Sequence, residues 1–97
     1  MTDKPITERR RTSIEALRER VEQLRVSGAD DSVKAEGTEA LRDLREAEAW
    51  LDVADSDPQR QAAVLGFADY RMLLAQHRLD FIDEKTRTLG PGWKFYR

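Results

Sequence analysis

The only histidine of the chain, His77, is the first residue to consider for chemistry, because acid–base catalysis near neutral pH most often uses an imidazole. Asp80 lies one helical turn later on the same side and Asp83 follows closely, so a carboxylate that could orient the ring is available. However, no serine or cysteine nucleophile and no metal-ligand spacing lies near His77 in the sequence. The pattern therefore indicates a packed or interface histidine, and we expect no enzymatic activity and no cofactor.

Three aspartates near the middle of the chain are the next candidate, because clustered carboxylates bind cations. Asp52, Asp55 and Asp57 are close in sequence, but their spacing matches no calcium loop. Asp57 directly precedes Pro58, which is typical of a helix N-cap followed by the first helical residue. We therefore expect no metal site here.

The densest basic run, Arg9, Arg10 and Arg11, is the candidate for phosphate contacts. Acidic residues interrupt its surroundings, and the whole chain carries a formal net charge of -2. Residues 30–57 contain three Lys or Arg against ten Asp or Glu, whereas the segments on either side are mildly basic. Docking of the acidic middle segment on its basic neighbours explains this distribution, so nucleic-acid binding by the arginine run is an alternative rather than the main prediction.

The C-terminal tail, residues 89–97, concentrates aromatic side chains behind a Gly-Pro-Gly break that no helix crosses. Trp93, Phe95 and Tyr96 are three of the seven aromatic residues of the chain, and such side chains are costly to leave in water. Trp93 and Phe95 project to one side of an extended segment, as in a strand added to the edge of a partner's sheet. The alternative is that the tail folds back over a stripe of its own chain that contains Phe67 and Phe81. Both possibilities stay open at the level of sequence.

The first two predicted secondary-structure elements are amphipathic helices. Ile14, Leu17, Val21 and Leu24 recur at helical spacing and predict helix 1 near residues 8–26, with Thr7 as N-cap. The second helix is predicted near residues 33–55, on a seam rich in small residues: Val33, Gly37, Ala40, Leu44, Ala47, Leu51 and Ala54. Because Gly37 weakens a helix, a later start with Thr38 as N-cap, after a loop or hairpin over residues 27–37, is the competing interpretation.

Helix 3, predicted over residues 58–88, is long for a chain of 97 residues and carries two apolar stripes. The first stripe fits the core of the chain: Leu65, Ala68, Met72, Ala75, Leu79, Ile82 and Leu89. The second lies on nearly the opposite side of the helix and consists of Phe67, Tyr70, Leu74, His77 and Phe81. One neighbouring helix can cover only one stripe. The second is therefore predicted to meet another helix, the tail or another molecule.

A limited part of the chain resembles a known family. The segment from Thr38 to Leu44 and the ending Gly90, Pro91, Phe95 and Tyr96 resemble the small head-completion proteins of tailed phages, of the lambda W type. The resemblance implies a non-enzymatic protein at the head–tail junction of a virion. That family has a β-hairpin between two helices, whereas residues 27–37 lack strand alternation here, and its pattern does not account for the long third helix.

The sequence thus predicts a single mainly α domain over residues 1–97, a three-helix bundle or a long helical hairpin with an added helix, ending in an extended docking tail. No apolar run approaches the roughly 18 residues of a membrane span and no signal peptide is visible, so we expect a cytoplasmic or virion protein. The predicted function is structural: self-association or docking on a protein partner through the second stripe and the tail. A small regulatory or inhibitory protein that binds one target is the alternative.

Overall fold

The computed structural model describes residues 5–95, which form three α-helices in the order α1 (Glu8–Arg25), α2 (Asp31–Ser56) and α3 (Gln61–Leu89). No strand occurs within residues 5–95, so the mainly α prediction is confirmed. The helices α2 and α3 form a long antiparallel hairpin and share the largest helix interface of the described chain. α1 is the added helix: it packs mainly on α2 and touches α3 to a smaller extent.

The predicted seam of α2 lies in the core along its whole length. Every member is buried, and Ala40, Ala47 and Ala54 have no exposed surface at all. Small side chains let the helix axes approach closely, while Leu44 and Leu51 fill the space between them. The seam, read from spacing alone, is confirmed.

The start of α2 decides between the two sequence interpretations. Asp30 takes the N-cap position, and its carboxylate accepts a hydrogen bond from the Ser32 amide at 2.9 Å. The helix then continues through Gly37 without interruption, so the alternative start at Thr38 is wrong. The Thr38 hydroxyl instead donates to the carbonyl of Lys34 in the preceding turn, at 3.4 Å.

Two other predicted caps differ in detail from the structure. α3 begins at Gln61 rather than at Pro58, because residues 58–60 form a tight turn in which the Arg60 amide donates to the Asp57 carbonyl at 3.1 Å. The Asp57 carboxylate caps this turn by accepting from the Gln59 amide at 3.2 Å. Thr7 does precede α1, but its buried hydroxyl makes no cap bond and donates to Asp55 of α2.

The first apolar stripe of α3 packs against the other helices as predicted, with Leu65, Ala68, Ala75, Leu79 and Ile82 buried. Its last member, Leu89, is 64% exposed at the C-terminal end of the helix and does not belong to the core. None of the helices in the described range is both long and apolar enough to cross a membrane.

A pair of alanine substitutions is expected to separate helix propensity from packing. A Cβ atom added at Gly66 would meet no atom within 4 Å, so Gly66→Ala should stabilise α3 by roughly 1 kcal/mol through propensity alone. A Cβ atom at Gly37 would lie 2.7 Å from Cδ2 of Leu24, where α1 crosses α2. Gly37→Ala should therefore lose most or all of the same gain. Urea unfolding of both variants at low protein concentration measures the difference, and equal stabilisation would contradict the close α1–α2 contact.

Candidate interaction surface

The second stripe of α3 faces away from the core, and it is the candidate interaction surface. α3 turns Asp69, Asp80 and Asp83 towards α1, whereas it turns Arg71 and Arg78 towards α2. Between these two charged rows the side chains project outward. Phe67, Tyr70, Leu73 and Phe81 remain 51%, 58%, 47% and 47% exposed, respectively. We call this surface the outward face of α3: Phe67, Tyr70, Leu73, Leu74, His77 and Phe81.

One end of the outward face is extended by an aromatic residue of α2. The Trp50 and Phe67 rings lie 5.0 Å apart at an interplanar angle of 54°, and an open groove is lined by both rings together with Tyr70 and Arg71. Tilted aromatic pairs of this kind are favourable beyond their buried area. Trp50 follows Glu39, Asp43 and Glu46 at spacings of four, three and four residues along α2, and this periodicity was the available signal that its ring lies on the same side of the helix as these carboxylates.

The other end of the outward face is covered by the tail of the same chain. Phe95 stacks on Phe81 with ring centroids 6.0 Å apart, and Trp93 meets both rings edge-on at 6.2 and 4.8 Å. Of the two alternatives for the tail, the structure has the fold-back, and the rings cover Phe81 rather than Phe67. Tyr96 lies outside the described residues.

Two hydroxyl groups hold the tail, one through the Trp93 side chain and one through the Phe95 backbone, and no sequence pattern indicated either contact. The Trp93 indole N–H donates to the Thr86 hydroxyl at 2.9 Å, and the Phe95 amide donates to the Ser32 hydroxyl at 3.1 Å. Ser32 in turn donates to the Asp30 carboxylate at 2.6 Å. This bond and the Ser32 amide hold the pKa of Asp30 below its ordinary value.

The centre of the hairpin carries a charged network beside the outward face. Asp43 of α2 is 6% exposed and lies 3.3 Å from both Arg71 and Arg78 of α3. Glu46 and Glu36 pair with the same two arginines at 2.8 and 2.7 Å, at the outer ends of the network. These ion pairs between α2 and α3 are the predicted docking of the acidic middle segment on a basic neighbour. Buried Asp43 itself was not predicted, because an acidic residue inside an acidic segment gives no sign of its partners.

The N-terminal arginine run is largely engaged within the molecule. Arg10 makes a two-point contact with Asp69 of α3, at 2.7 and 3.0 Å, and this carboxylate raises the pKa of Arg10. Arg11 donates to both Asp52 and Asp55 of α2 at 2.9 Å. Arg9 is exposed, and no ion pair of Arg9 is found within residues 5–95. The arrangement joins α1 to the hairpin and leaves one of the three guanidinium groups for an outside anion.

The acidic residues considered for chemistry have structural partners as well. The guanidinium of Arg11 and then the hydroxyl of Thr7 lower the pKa of Asp55. Asp57 caps a turn and lies 3.5 Å from Arg60. Among the described residues no group of three or more His, Cys, Asp or Glu side chains could hold a metal ion. Asp80 and Asp83 both accept from Arg20, at 2.9 and 2.6 Å, rather than orienting the exposed His77 ring.

Comparisons of this chain with protein-family models, with curated proteins and with solved structures found no match. The resemblance to phage head-completion proteins therefore stays a prediction from the sequence. A proposed function must therefore rest on the arrangement of side chains within this molecule.

Proposed function

We propose that this chain is a non-enzymatic helical protein that self-associates through the outward face of α3. The observation that carries the proposal is the exposure of large apolar side chains on one face: Phe67, Tyr70 and Leu73 are each about half exposed. Phe67 and Tyr70 also line a groove together with Trp50. Contiguous apolar surface of this kind on a small protein is typical of a contact with another protein. A few residues supply most of the binding energy in such contacts, and Trp and Tyr are enriched among them.

Catalysis receives no comparable support from the arrangement of side chains. His77 is exposed on the outward face, and the neighbouring carboxylates of Asp80 and Asp83 are bound to Arg20. A general base needs a partner that orients it and a reacting group within hydrogen-bond distance. We therefore include His77 in the proposed contact surface.

The narrower predictions use the same surface. A regulatory protein that binds one target would offer the outward face of α3 to that target, and a component of a phage particle would offer it to a neighbouring subunit. Nucleic-acid binding would depend on Arg9, Arg10 and Arg11, two of which already bind carboxylates of their own chain. We therefore place self-association first.

The test is the mass of the full chain in solution across a range of concentrations. The chain should exceed the monomer mass of 11.2 kDa, increasingly so at higher concentration, in sedimentation equilibrium. Tyr70→Arg introduces a charge at the most exposed aromatic of the outward face and should weaken association by at least about tenfold. Because Tyr70 is 58% exposed, the fold of the monomer should persist in circular dichroism.

The matched control is Val26→Arg, which adds the same charge at an apolar residue that is 83% exposed in the α1–α2 loop. This variant should associate like the unmodified chain, because Val26 lies outside the outward face. A mass of 11.2 kDa at every concentration would overturn the proposal, and so would equal weakening by both variants.

A further inference from the structure

The tail covers one end of the outward face with contacts that can be released without disturbing the core. Its rings touch Phe81, which keeps 47% of its surface exposed. Its polar contacts with the helices are single hydrogen bonds to Thr86 and Ser32 and an electrostatic attraction between Lys94 and Asp30. None of these residues belongs to the buried core cluster. Detachment of the tail therefore leaves the packing of the three helices in place.

The junction between α3 and the tail is built as a hinge. Gly90 ends the helix with a φ of 91°, a conformation that favours glycine, and its amide closes the last turn on Thr86 at 3.0 Å. Pro91 and Gly92 follow in a turn. A Cβ atom at Gly90 or Gly92 would meet no atom within 4 Å, so neither glycine is held by close packing at its Cα. The tail can swing about this point.

The face under the tail has the pattern of a helix that pairs with a copy of itself. Phe67, Tyr70, Leu74, His77 and Phe81 follow alternating spacings of three and four residues, as the two core positions of a coiled-coil heptad do. On the flank towards α2, the residues next to this seam are all basic: Arg71, Arg78 and Lys85. The opposite flank carries Gly66, Leu73, Asp80 and Arg87, of which Arg87 is paired with Glu84 of its own helix.

These flanking charges favour one orientation of a second copy, although Arg71 and Arg78 are already paired with carboxylates of α2 and Asp80 is paired with Arg20. An antiparallel pair would place each basic flank against its own equivalent and would gain no contact between opposite charges along that flank. In a parallel pair, Asp80 of one copy would lie opposite Lys85 of the second copy, five residues further along the chain. This offset is the usual one for ion pairs between the helices of a parallel coiled coil. In this orientation Phe81 meets Phe81 of the second copy, at the place where the Trp93 and Phe95 rings now lie.

We propose that the C-terminal tail is an intramolecular cover that competes with α3 of a second copy for Phe81 and thereby limits parallel pairing of the two α3 helices. The proposal rests on the proposed self-association through the outward face. A ring that is already stacked in its own molecule must be released before the partner helix can contact it along the full seam. The cover therefore raises the dissociation constant of the pair without changing the surface that remains open at Phe67 and Tyr70.

The experiment compares dissociation constants by sedimentation equilibrium in full-length chains. The double variant Trp93→Ser/Phe95→Ser removes the covering rings and should dimerise at least about tenfold more tightly than the unmodified chain. Ile6→Ser/Val26→Ser is the matched control, because it also replaces two apolar side chains by serine, but at positions that are 52% and 83% exposed and lie outside both the tail and the outward face. The control should keep the dissociation constant of the unmodified chain.

A reversible clamp tests the same competition from the other side. The sequence contains no cysteine, so Ser32→Cys/Lys94→Cys introduces a single thiol pair, with one thiol at Ser32 and the other one residue before Phe95, whose amide lies 3.1 Å from the Ser32 hydroxyl. Oxidation should tie the tail down and weaken dimerisation at least about tenfold relative to the reduced form of the same variant. Mass spectrometry verifies the bond, and circular dichroism verifies that both forms keep their helices.

The outcomes separate the two proposals. If the unmodified chain and the double variant dimerise equally, or if the double variant dimerises more weakly, the tail is not a competing cover and this inference fails alone. An oxidised clamp that dimerises as well as its reduced form has the same meaning. If no variant associates at any concentration, the proposed self-association fails and the inference fails with it.

Discussion

Leu44→Ala is expected to destabilise the protein by about 2–5 kcal/mol, the range for truncating a leucine in a packed core. Leu44 lies on the α2 seam, has no exposed surface and belongs to the core cluster shared by the three helices. A domain of this size is stable by roughly 5–15 kcal/mol in total, so the variant should show a strongly lowered urea midpoint. The alanine leaves a cavity because neighbouring side chains relax only partly.

The matched control is Leu89→Ala, which removes the same atoms at a residue that is 64% exposed at the end of α3. Its effect should stay within about 0.5 kcal/mol, as for most surface substitutions. Similar losses of stability in the two variants would mean that α2 does not bury its seam as described.

Asp43→Ala is expected to cost about 1–3 kcal/mol, the second-largest effect, because it removes a buried acceptor shared by two guanidinium groups. The Asp43 side chain is 8% exposed, whereas Arg71 and Arg78 are 36% and 37% exposed and can turn partly towards water. This exposure keeps the expected cost below that of a fully buried ion pair. Urea unfolding at neutral pH measures it.

Glu46→Ala is the control for Asp43→Ala. Glu46 lies closer to Arg71, at 2.8 Å against 3.3 Å for Asp43, but its side chain is 45% exposed. If burial governs the strength of these pairs, Glu46→Ala should cost less than about 1 kcal/mol. A larger effect at Glu46 than at Asp43 would show that distance outweighs burial in this network.

Local periodicity was enough to predict most of the fold. The seam of α2 and the first stripe of α3 follow from spacing, because a helix buries one face and the period of that face is fixed by its geometry. The prediction was less secure at Gly37, where low helix propensity argued for a break. A Cβ atom at this position would lie close to Leu24, so packing between α1 and α2 explains the glycine. Helix propensity takes no account of such packing.

Features that depend on distant partners were not predictable in the same way. The second stripe was predicted as one surface, but the structure divides it: Phe67 pairs with Trp50 at one end, and Phe81 meets the tail at the other. Which end the tail reaches depends on the turn at Gly90 and on the hydroxyl of Ser32, more than sixty residues away along the chain. Spacing on one helix cannot encode that choice.

The mode of attachment of α1 has a consequence for the order in which the native molecule opens. α1 buries Ile14, Leu17 and Val21, and much of its remaining attachment consists of ion pairs such as those of Arg10 and Arg20 with α3. The hairpin instead has a continuous apolar seam. Backbone amides of α1 should therefore exchange with deuterium through a partial opening that leaves α2 and α3 paired, and added salt should accelerate that exchange selectively.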